Sequence, residues 1–335
     1  MSSGAFHGIS YVLRRFPGAC LLLSAFLLPA QQVQLGGPVC GVIYDAPTRS
    51  LRPLLGVPGA AYLGGALVAG VDFASVAPSG KMALAVKDGQ ALLLTDLDRL
   101  QPAVLPLPAV LQDADRAAWA QDSSALALYS SARGWLQRVT GLDGAPVAGP
   151  PMEVSFPGGS VTLIATSHGA ERIVLGVRGE ISGGLYLIPT DGPPLEVASM
   201  ADPGAVFFPA EGRTLYAVDR HSRRVLAVHN FPPGEVVTLL EAQDGVADPV
   251  GIAVSGDGQR LFLADRSSRS VRVYEVSTRT LMAEVPLEAA PSLLQPLSGN
   301  ALFLLNSGSR RGEPLFLLDA RSAPAVYFVP ASEQD

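Results

Sequence analysis

A polar turn followed by a short apolar run recurs about every 44 residues along this chain, and this repeat limits the possible folds more than any other feature. The turns end at positions 80, 124, 169, 212, 258 and 299, so successive turns lie 41 to 46 residues apart. In the clearest unit, apolar runs at 251–254 and 261–264 flank the turn 255–258. A third apolar run at 271–274 and a more polar run at 281–285 complete it. A fixed period of this length indicates a repeat architecture.

Each unit contains four short strand-like runs separated by Gly, Pro, Asp and Ser, which predicts a four-stranded antiparallel sheet. The 35 glycines and 28 prolines supply the turns that such sheets need. No segment after the first thirty residues sustains the 3.6-residue periodicity of an amphipathic helix. The predicted fold class is therefore all-β, a β-propeller of four-stranded blades.

Six full repeats fit between residues 71 and 330 and a partial blade precedes them at 31–70, all in one propeller domain, with 331–335 as a tail. In the partial blade, segment 41–51 aligns in two ways. One frame matches it to 272–281, the third and fourth strands of a blade. The other pairs Asp45 and 49–52 with Asp265 and 269–272, the second and third strands. We expect seven blades, one of them reduced, with six as the alternative; strands from both termini would close the ring and hide the sheet edges.

The first thirty residues have the organisation of a secretory signal. Arg14 and Arg15 precede an apolar run at 19–30. This run is shorter than the roughly 20 residues needed to cross a bilayer, but it suits the apolar region of a signal peptide. We therefore expect a periplasmic or secreted protein with no membrane span after cleavage of 1–30; an uncleaved anchor is the alternative.

Charge and cysteine content exclude several classes of partner and site. Cleavage after residue 30 would leave 22 of the 24 basic residues against 30 acidic ones, a net charge of −8. An acidic chain without a basic cluster is a poor candidate for binding nucleic acid. Only Cys40 would remain, so neither an internal disulfide nor a cysteine-based metal site is expected.

Residues 248–265, DPVGIAVSGDGQRLFLAD, resemble the repeat of NHL and YVTN-type propellers. Those repeats begin with Pro-x-Gly-Ile-Ala, contain a hairpin similar to Gly-Asp-Gly and have a strand that ends in Ala-Asp. The motif is clear within 204–280 and loose in the other repeats. The resemblance implies an extracytoplasmic propeller of a kind that often binds other molecules, while a minority are lactonases or lyases. A fold of this kind does not decide between these functions.

The turns between the second and third strands carry polar side chains in most repeats, and this register returns to the same rim of the predicted ring. In the earlier repeats the polar turn residues are Lys87, Asp88 and 130–133. Residues from the later repeats form the predicted ligand-binding set: Arg178, Glu180, Asp219, Arg220, Asp265, Arg266 and Asn306. Arginines in such a ring could hold a carboxylate or sugar hydroxyls. The competing interpretation is ordinary turn chemistry, in which Asp and Asn bond their own backbone.

The remaining sequence predicts no cofactor and no metal. His168, His221 and His229 fall in registers that alternate between the two rims, so we do not expect them to share an ion. Nucleophile-elbow, Walker, zinc-protease, EF-hand and CxxC motifs are missing from the sequence. We therefore expect an exported non-enzymatic propeller that binds an envelope or extracellular protein, or a small ligand, through one rim. The alternative is a lactonase-like hydrolase or lyase with its site at the central channel.

Overall fold

A computed structural model of the chain describes residues 37–180, 183–231, 234–297, 301–308, 310 and 312–331. The predicted signal peptide and the start of the partial blade lie outside these residues. The described residues form seven antiparallel sheets arranged in a ring, a seven-bladed β-propeller. The predicted fold class is confirmed, and the count is seven rather than six.

The strands of the first three sheets follow one another along the chain. They are β1 (Val39–Asp45), β2 (Ser50–Leu55), β3 (Tyr62–Leu63) and β4 (Val68–Ala69) in the first blade; β5 (Phe73–Val76), β6 (Ala83–Lys87), β7 (Gln90–Thr95) and β8 (Ala103–Pro106) in the second; and β9 (Arg116–Trp119), β10 (Leu126–Ser130), β11 (Trp135–Thr140), β12 (Val147–Ala148) and β13 (Met152–Glu153) in the third.

The other four sheets are equally sequential. They are β14 (Gly159–Thr166), β15 (Ile173–Gly179), β16 (Gly184–Ile188) and β17 (Leu195–Ser199) in the fourth blade; β18 (Pro203–Phe207), β19 (Leu215–Asp219), β20 (Arg224–His229) and β21 (Glu235–Leu240) in the fifth; β22 (Pro249–Val254), β23 (Arg260–Asp265), β24 (Ser270–Glu275) and β25 (Leu281–Pro286) in the sixth; and β26 (Gln295–Pro296), β27 (Leu302–Leu304), β28 (Leu315–Asp319) and β29 (Ala325–Val329) in the seventh. Short 3-10 turns occur at His168–Ala170 and Ala242–Asp244.

From the second blade onward, the first strand of each sheet lies at the central channel and the later strands lie progressively outward. In the third blade, β12 and β13 both pair with β11 and so share the outermost position. The turns between second and third strands lie on the same face as the connections that lead into each first strand. We call this face the rim face. The turns between first and second strands lie on the opposite face.

The first blade is built differently. Its innermost strand, β1, ends on the rim face, where Arg49 of the following turn forms an ion pair with Asp72, just before β5. Thus β1 runs in the opposite direction to β5. Because β3 and β4 both pair with β2, the described residues of this blade fill only three strand positions. In its described residues the first blade is therefore reduced, as expected.

The turn after β1 has the geometry of the turn that joins the second and third strands of the sixth blade. Arg49 and Arg269 have φ values of 50° and 48°. Hydroxyl pairs also correspond, with Thr48 and Ser50 at 2.7 Å and Ser268 and Ser270 at 2.8 Å. The turn between the third and fourth strands of the sixth blade also has a positive φ at Arg279 and a hydroxyl pair, Thr278 and Thr280 at 2.8 Å, so these features fit both frames. The turn after β1 lies on the rim face, as the turns between second and third strands do, and this placement supports the frame that aligned the segment with those strands.

The described strands of the first and seventh blades pair only within their own sheets. These two blades are joined by side chains instead: Cys40, Ile43 and Leu54 pack with Leu304 and Leu317. The described strands of these two blades therefore do not close the ring by sharing one sheet, which is the closure by strands from both termini that the sequence suggested. Because β29 already fills the outermost position of the seventh sheet, the C-terminal end contributes no described strand to the first.

The core is divided into layers between adjacent blades. Alanines such as Ala85, Ala127 and Ala217 are fully buried in the second strands, because sheets that face each other about 10 Å apart leave room for small and medium side chains. Leucine and valine fill most of the remaining space. None of the described helical turns is long and apolar enough to span a bilayer.

Candidate functional site on the rim face

Alternating arginines and aspartates cross three consecutive blades on the rim face. We call this row the Arg–Asp rim: Arg178, Asp202, Arg220, Asp248 and Arg266. Arg178 Nε lies 2.6 Å from Asp202 Oδ1, and Arg220 Nε lies 2.8 Å from Asp248 Oδ1. Longer contacts complete the row, from Arg220 to Asp202 at 3.6 Å and from Arg266 to Asp248 at 3.8 Å. Each aspartate therefore lies between two guanidinium groups.

The backbone positions the two aspartates. Each directly precedes a proline that begins a first strand, at Pro203 and Pro249, and a residue before proline is biased toward extended geometry. The backbone N–H of Arg220 donates to Asp202 O, and that of Arg266 donates to Asp248 O, both at 2.9 Å. Each aspartate is thus bonded through its backbone to the arginine of its own blade. Its side chain pairs with the arginine of the preceding blade as well.

The rim carries three positive and two negative charges. The hydrogen bond from Arg220 to Asp248 raises the pKa of this guanidinium above its usual value. The side chains of Arg178 and Arg266 are 52% and 44% exposed. The connection into the seventh blade has Ala290-Pro291 at the position where Asp-Pro leads into the fifth and sixth blades. Arg266 therefore has no carboxylate there, and its contact with Asp248 is its single ion pair among the described residues.

Three residues of the predicted ligand-binding set are buried in the turns. Asp219 and Asp265 have no exposed surface. Asp265 accepts the backbone N–H groups of Ala247, Asp248 and Ser268 at 2.8, 2.9 and 3.0 Å. Asn306 accepts from Phe316 N at 2.9 Å and donates to Pro314 O at 2.8 Å. In these positions the side chains stabilise turns and loops, the competing interpretation that the sequence left open.

The other four members of the predicted set lie at the surface. Glu180 is exposed in the turn after β15, and Arg178, Arg220 and Arg266 belong to the Arg–Asp rim. Sequence reasoning missed Asp202 and Asp248, because they lie outside the turns on which it concentrated. The signal that could have found them is the Asp-Pro pair before each first strand.

Similar ion pairs occur elsewhere on the rim face. Asp113, which precedes the third blade, accepts from Arg133 Nε at 2.7 Å and from Ser130 Oγ at 2.8 Å. The hydrogen bond from Arg133 lowers the pKa of Asp113 below its usual value. Arg133 also lies 4.6 Å from the ring centroid of Trp135. The rim arginines are thus oriented by neighbouring carboxylates in most of the blades.

The central channel has a different chemistry. It encloses a cavity of about 480 Å³ bounded by the innermost strands of all seven blades. Its described lining is mainly Ala, Val, Ile, Leu and Phe, with neutral polar groups and no charged side chain. Trp119 Nε1 donates to Ser75 Oγ at 3.1 Å across a blade boundary. Burial raises the pKa of Tyr44, whose hydroxyl lies 3.0 Å from Val71 O.

The histidines lie in separate places. His168 Nδ1 is 2.8 Å from Asp122 Oδ2 on the face opposite the rim. His221 lies in the turn after β19, on the rim face, and His229 ends β20. In the part of the chain that the structure describes, no three His, Cys, Asp or Glu side chains are grouped so that they could hold a metal ion.

No protein-family model and no curated protein sequence matches this chain. It is similar in structure to a protein from Lactobacillus plantarum at 15% identity and a TM-score of 0.61, over 88% of this chain and 96% of the other. A candidate 6-phosphogluconolactonase from Bacteroides fragilis matches at 14% and 0.59, over 88% and 95%. Inactive virginiamycin B lyase from Staphylococcus aureus, in complex with quinupristin, matches at 14% and 0.54, over 78% and 84%.

At these identities the likeness shows the fold alone. The class defined by the chain is therefore a seven-bladed β-propeller. Its particular features are an Arg–Asp rim on one face and an apolar, uncharged described lining of the central channel.

Proposed function

We propose that this chain is an exported, non-enzymatic binding module that holds a carboxylate-bearing protein or small ligand through the Arg–Asp rim. The observation that carries the proposal is the row of three guanidinium groups on consecutive blades, held in place by two aspartates. Export rests on Arg14, Arg15 and the apolar run at 19–30.

The geometry suits recognition of anions. A guanidinium group keeps its charge and presents a planar set of N–H donors that matches a carboxylate. Asp202 and Asp248 occupy some of these donors and fix the orientation of the planes, so less side-chain entropy is lost on binding. The half-exposed side chains of Arg178 and Arg266 leave surface for a partner. Contacts of this kind are screened by salt, so binding should weaken as ionic strength rises.

A fluorescently labelled hexaglutamate peptide tests this proposal by fluorescence anisotropy at several salt concentrations. The double variant Arg178→Gln/Arg266→Gln should bind at least about tenfold more weakly, because two charge-assisted contacts are lost. Arg279→Gln/Arg321→Gln removes the same charge from turns on the opposite face and should leave affinity unchanged. Equal weakening in both double variants, or no salt-dependent binding by the wild type, would contradict a specific rim site.

The alternative is a hydrolase or lyase with its site at the central channel. Two of the structural neighbours support it, one a candidate lactonase and one a lyase. The neutral described lining of the channel makes the rim the better-supported site. Sustained hydrolysis of δ-gluconolactone, with or without added divalent cations, that persists in Arg178→Gln/Arg266→Gln would favour the alternative.

A further inference from the structure

A second cavity lies between the third and fourth blades, at the outer side of the ring and on the face opposite the rim. Its volume is about 220 Å³. Its walls include the apolar side chains of Leu136, Met152 and Ile173, and its polar residues are Arg138, Thr140 and Thr190. A pocket of this kind, mostly apolar with a few polar groups, is typical of a small-ligand site.

The cavity follows from the division of the outermost strand in the third blade. β12 pairs with β11 at Val139 and Thr140, and β13 pairs with it at Trp135 and Leu136. Between them, residues 149–151 are Gly-Pro-Pro, and two prolines lack the N–H group needed to continue the ladder. Gly149 N still donates to Arg138 O at 2.8 Å, and the chain leaves the ladder at Pro150 and Pro151, which opens a space beside β11.

Alternation along β11 directs Arg138 into this space. Residues 136, 138 and 140 lie on the same side of the strand, and Leu136 packs in the core layer shared with the fourth blade, where Ile173 begins β15. Arg138 lies between two residues of the cavity wall on that side. Its neighbour Gln137 points the other way and donates to Ala109 O and Gly149 O, both at 2.8 Å.

Arg138 has a charge without a partner. Its Nε is buried and makes no hydrogen bond, and its guanidinium forms no ion pair with any described residue. A buried donor that is left unbonded costs free energy, and arginine keeps its charge rather than neutralise. An anion in the cavity would satisfy both the free donor and the charge.

We propose that this cavity binds a small aliphatic carboxylic acid. The carboxylate pairs with the Arg138 guanidinium, and Thr140 and Thr190 supply the other polar side chains of the wall. The hydrocarbon part lies against Met152 and Ile173. Since the volume is below the roughly 300 Å³ at which sites for drug-sized ligands begin, the acid is a short one.

Hexanoate is the probe, and its binding to the full chain is measured by isothermal titration calorimetry and by thermal unfolding. Hexanoate should bind and raise the melting temperature, while hexylamine, which has a similar chain and the opposite charge, should do neither. Arg138→Met keeps an unbranched apolar stem and removes the charged guanidinium, so it should weaken hexanoate binding at least about tenfold. Without ligand this variant should be no less stable than the wild type, because it removes an unbonded buried donor.

Arg279→Met is the matched control, since it removes a charge from an exposed turn of the sixth blade that belongs to neither the cavity nor the Arg–Asp rim, and it should leave hexanoate binding unchanged. Because the cavity and the rim lie on opposite faces, failure of one proposal does not affect the other. Arg138→Lys keeps the charge but loses the planar fork, and it should bind hexanoate more weakly than the wild type. The assignment would be overturned if the wild type failed to bind hexanoate, or if Arg138→Met or Arg138→Lys bound it as tightly as the wild type.

Discussion

Single buried carboxylates hold the turns of this propeller in place. Asp219 and Asp265 end the second strands of neighbouring blades and are fully buried. Each accepts backbone N–H groups from the following turn and from the connection into its own blade. Because a buried backbone donor must be bonded, one side chain at this position joins two loops that are distant in sequence.

The substitution Asp265→Ala should therefore reduce the free energy of unfolding by about 3 kcal/mol, since it leaves three backbone N–H groups without an acceptor. Urea denaturation followed by circular dichroism measures the change. Asp98→Ala, at an exposed turn residue, is the control and should change stability by no more than about 0.5 kcal/mol. Equal effects of the two substitutions would refute the assigned role of Asp265.

At the level of whole elements, the ion pairs of the rim join one blade to the next. Arg220 belongs to the fifth blade and Asp248 leads into the sixth, and both side chains are less than a quarter exposed. Partial burial reduces the screening that makes fully exposed pairs weak. These pairs can therefore stabilise the contact between blades as well as orient the arginines.

A double-mutant cycle of Arg220→Gln and Asp248→Asn should give a coupling energy of at least about 0.5 kcal/mol in urea denaturation. The comparison cycle uses Arg99→Gln and Asp96→Asn, a more exposed pair 3.7 Å apart within one turn. Its coupling should be close to zero, as is common for surface pairs. If the rim pair showed no more coupling than the surface pair, its proposed part in joining blades would fail.

At the level of the whole molecule, the described strands meet across the first and seventh blades through side chains rather than through a shared sheet. Leu54 and Leu317 are fully buried at this boundary. A ring whose described boundary depends on apolar packing should be sensitive to a cavity made there. If the seven blades unfold together, the effect should also be visible far from the boundary.

Leu317→Ala should reduce the free energy of unfolding by about 2–5 kcal/mol. Both tryptophans of the chain, Trp119 and Trp135, lie in the third blade, so their fluorescence reports on a distant part of the ring. Fluorescence and circular dichroism should show the same shifted transition. The exposed Leu195→Ala is the control. An unchanged fluorescence transition would indicate that the blades unfold separately.

Sequence reasoning was most accurate for local features and least accurate for partners that are distant in the chain. The turn residues Arg178, Arg220 and Arg266 could be named because they recur at one register. Asp202 and Asp248 were not named, since their pairing with arginines of the preceding blade depends on how the blades pack. The unpaired charge of Arg138 was equally hidden, because a single sequence does not show which side chains surround it.

The sequence by itself determined the all-β class, the period of the blades and the expectation of seven of them. Turn residues and strand alternation are encoded over a few neighbouring positions, so a period is visible without any tertiary contact. Only the tertiary structure decided which of two frames the first blade follows, how the described ends of the ring meet, and which polar residues are buried. These depend on contacts between residues tens to hundreds of positions apart, and packing and desolvation select such contacts only when the ring has formed.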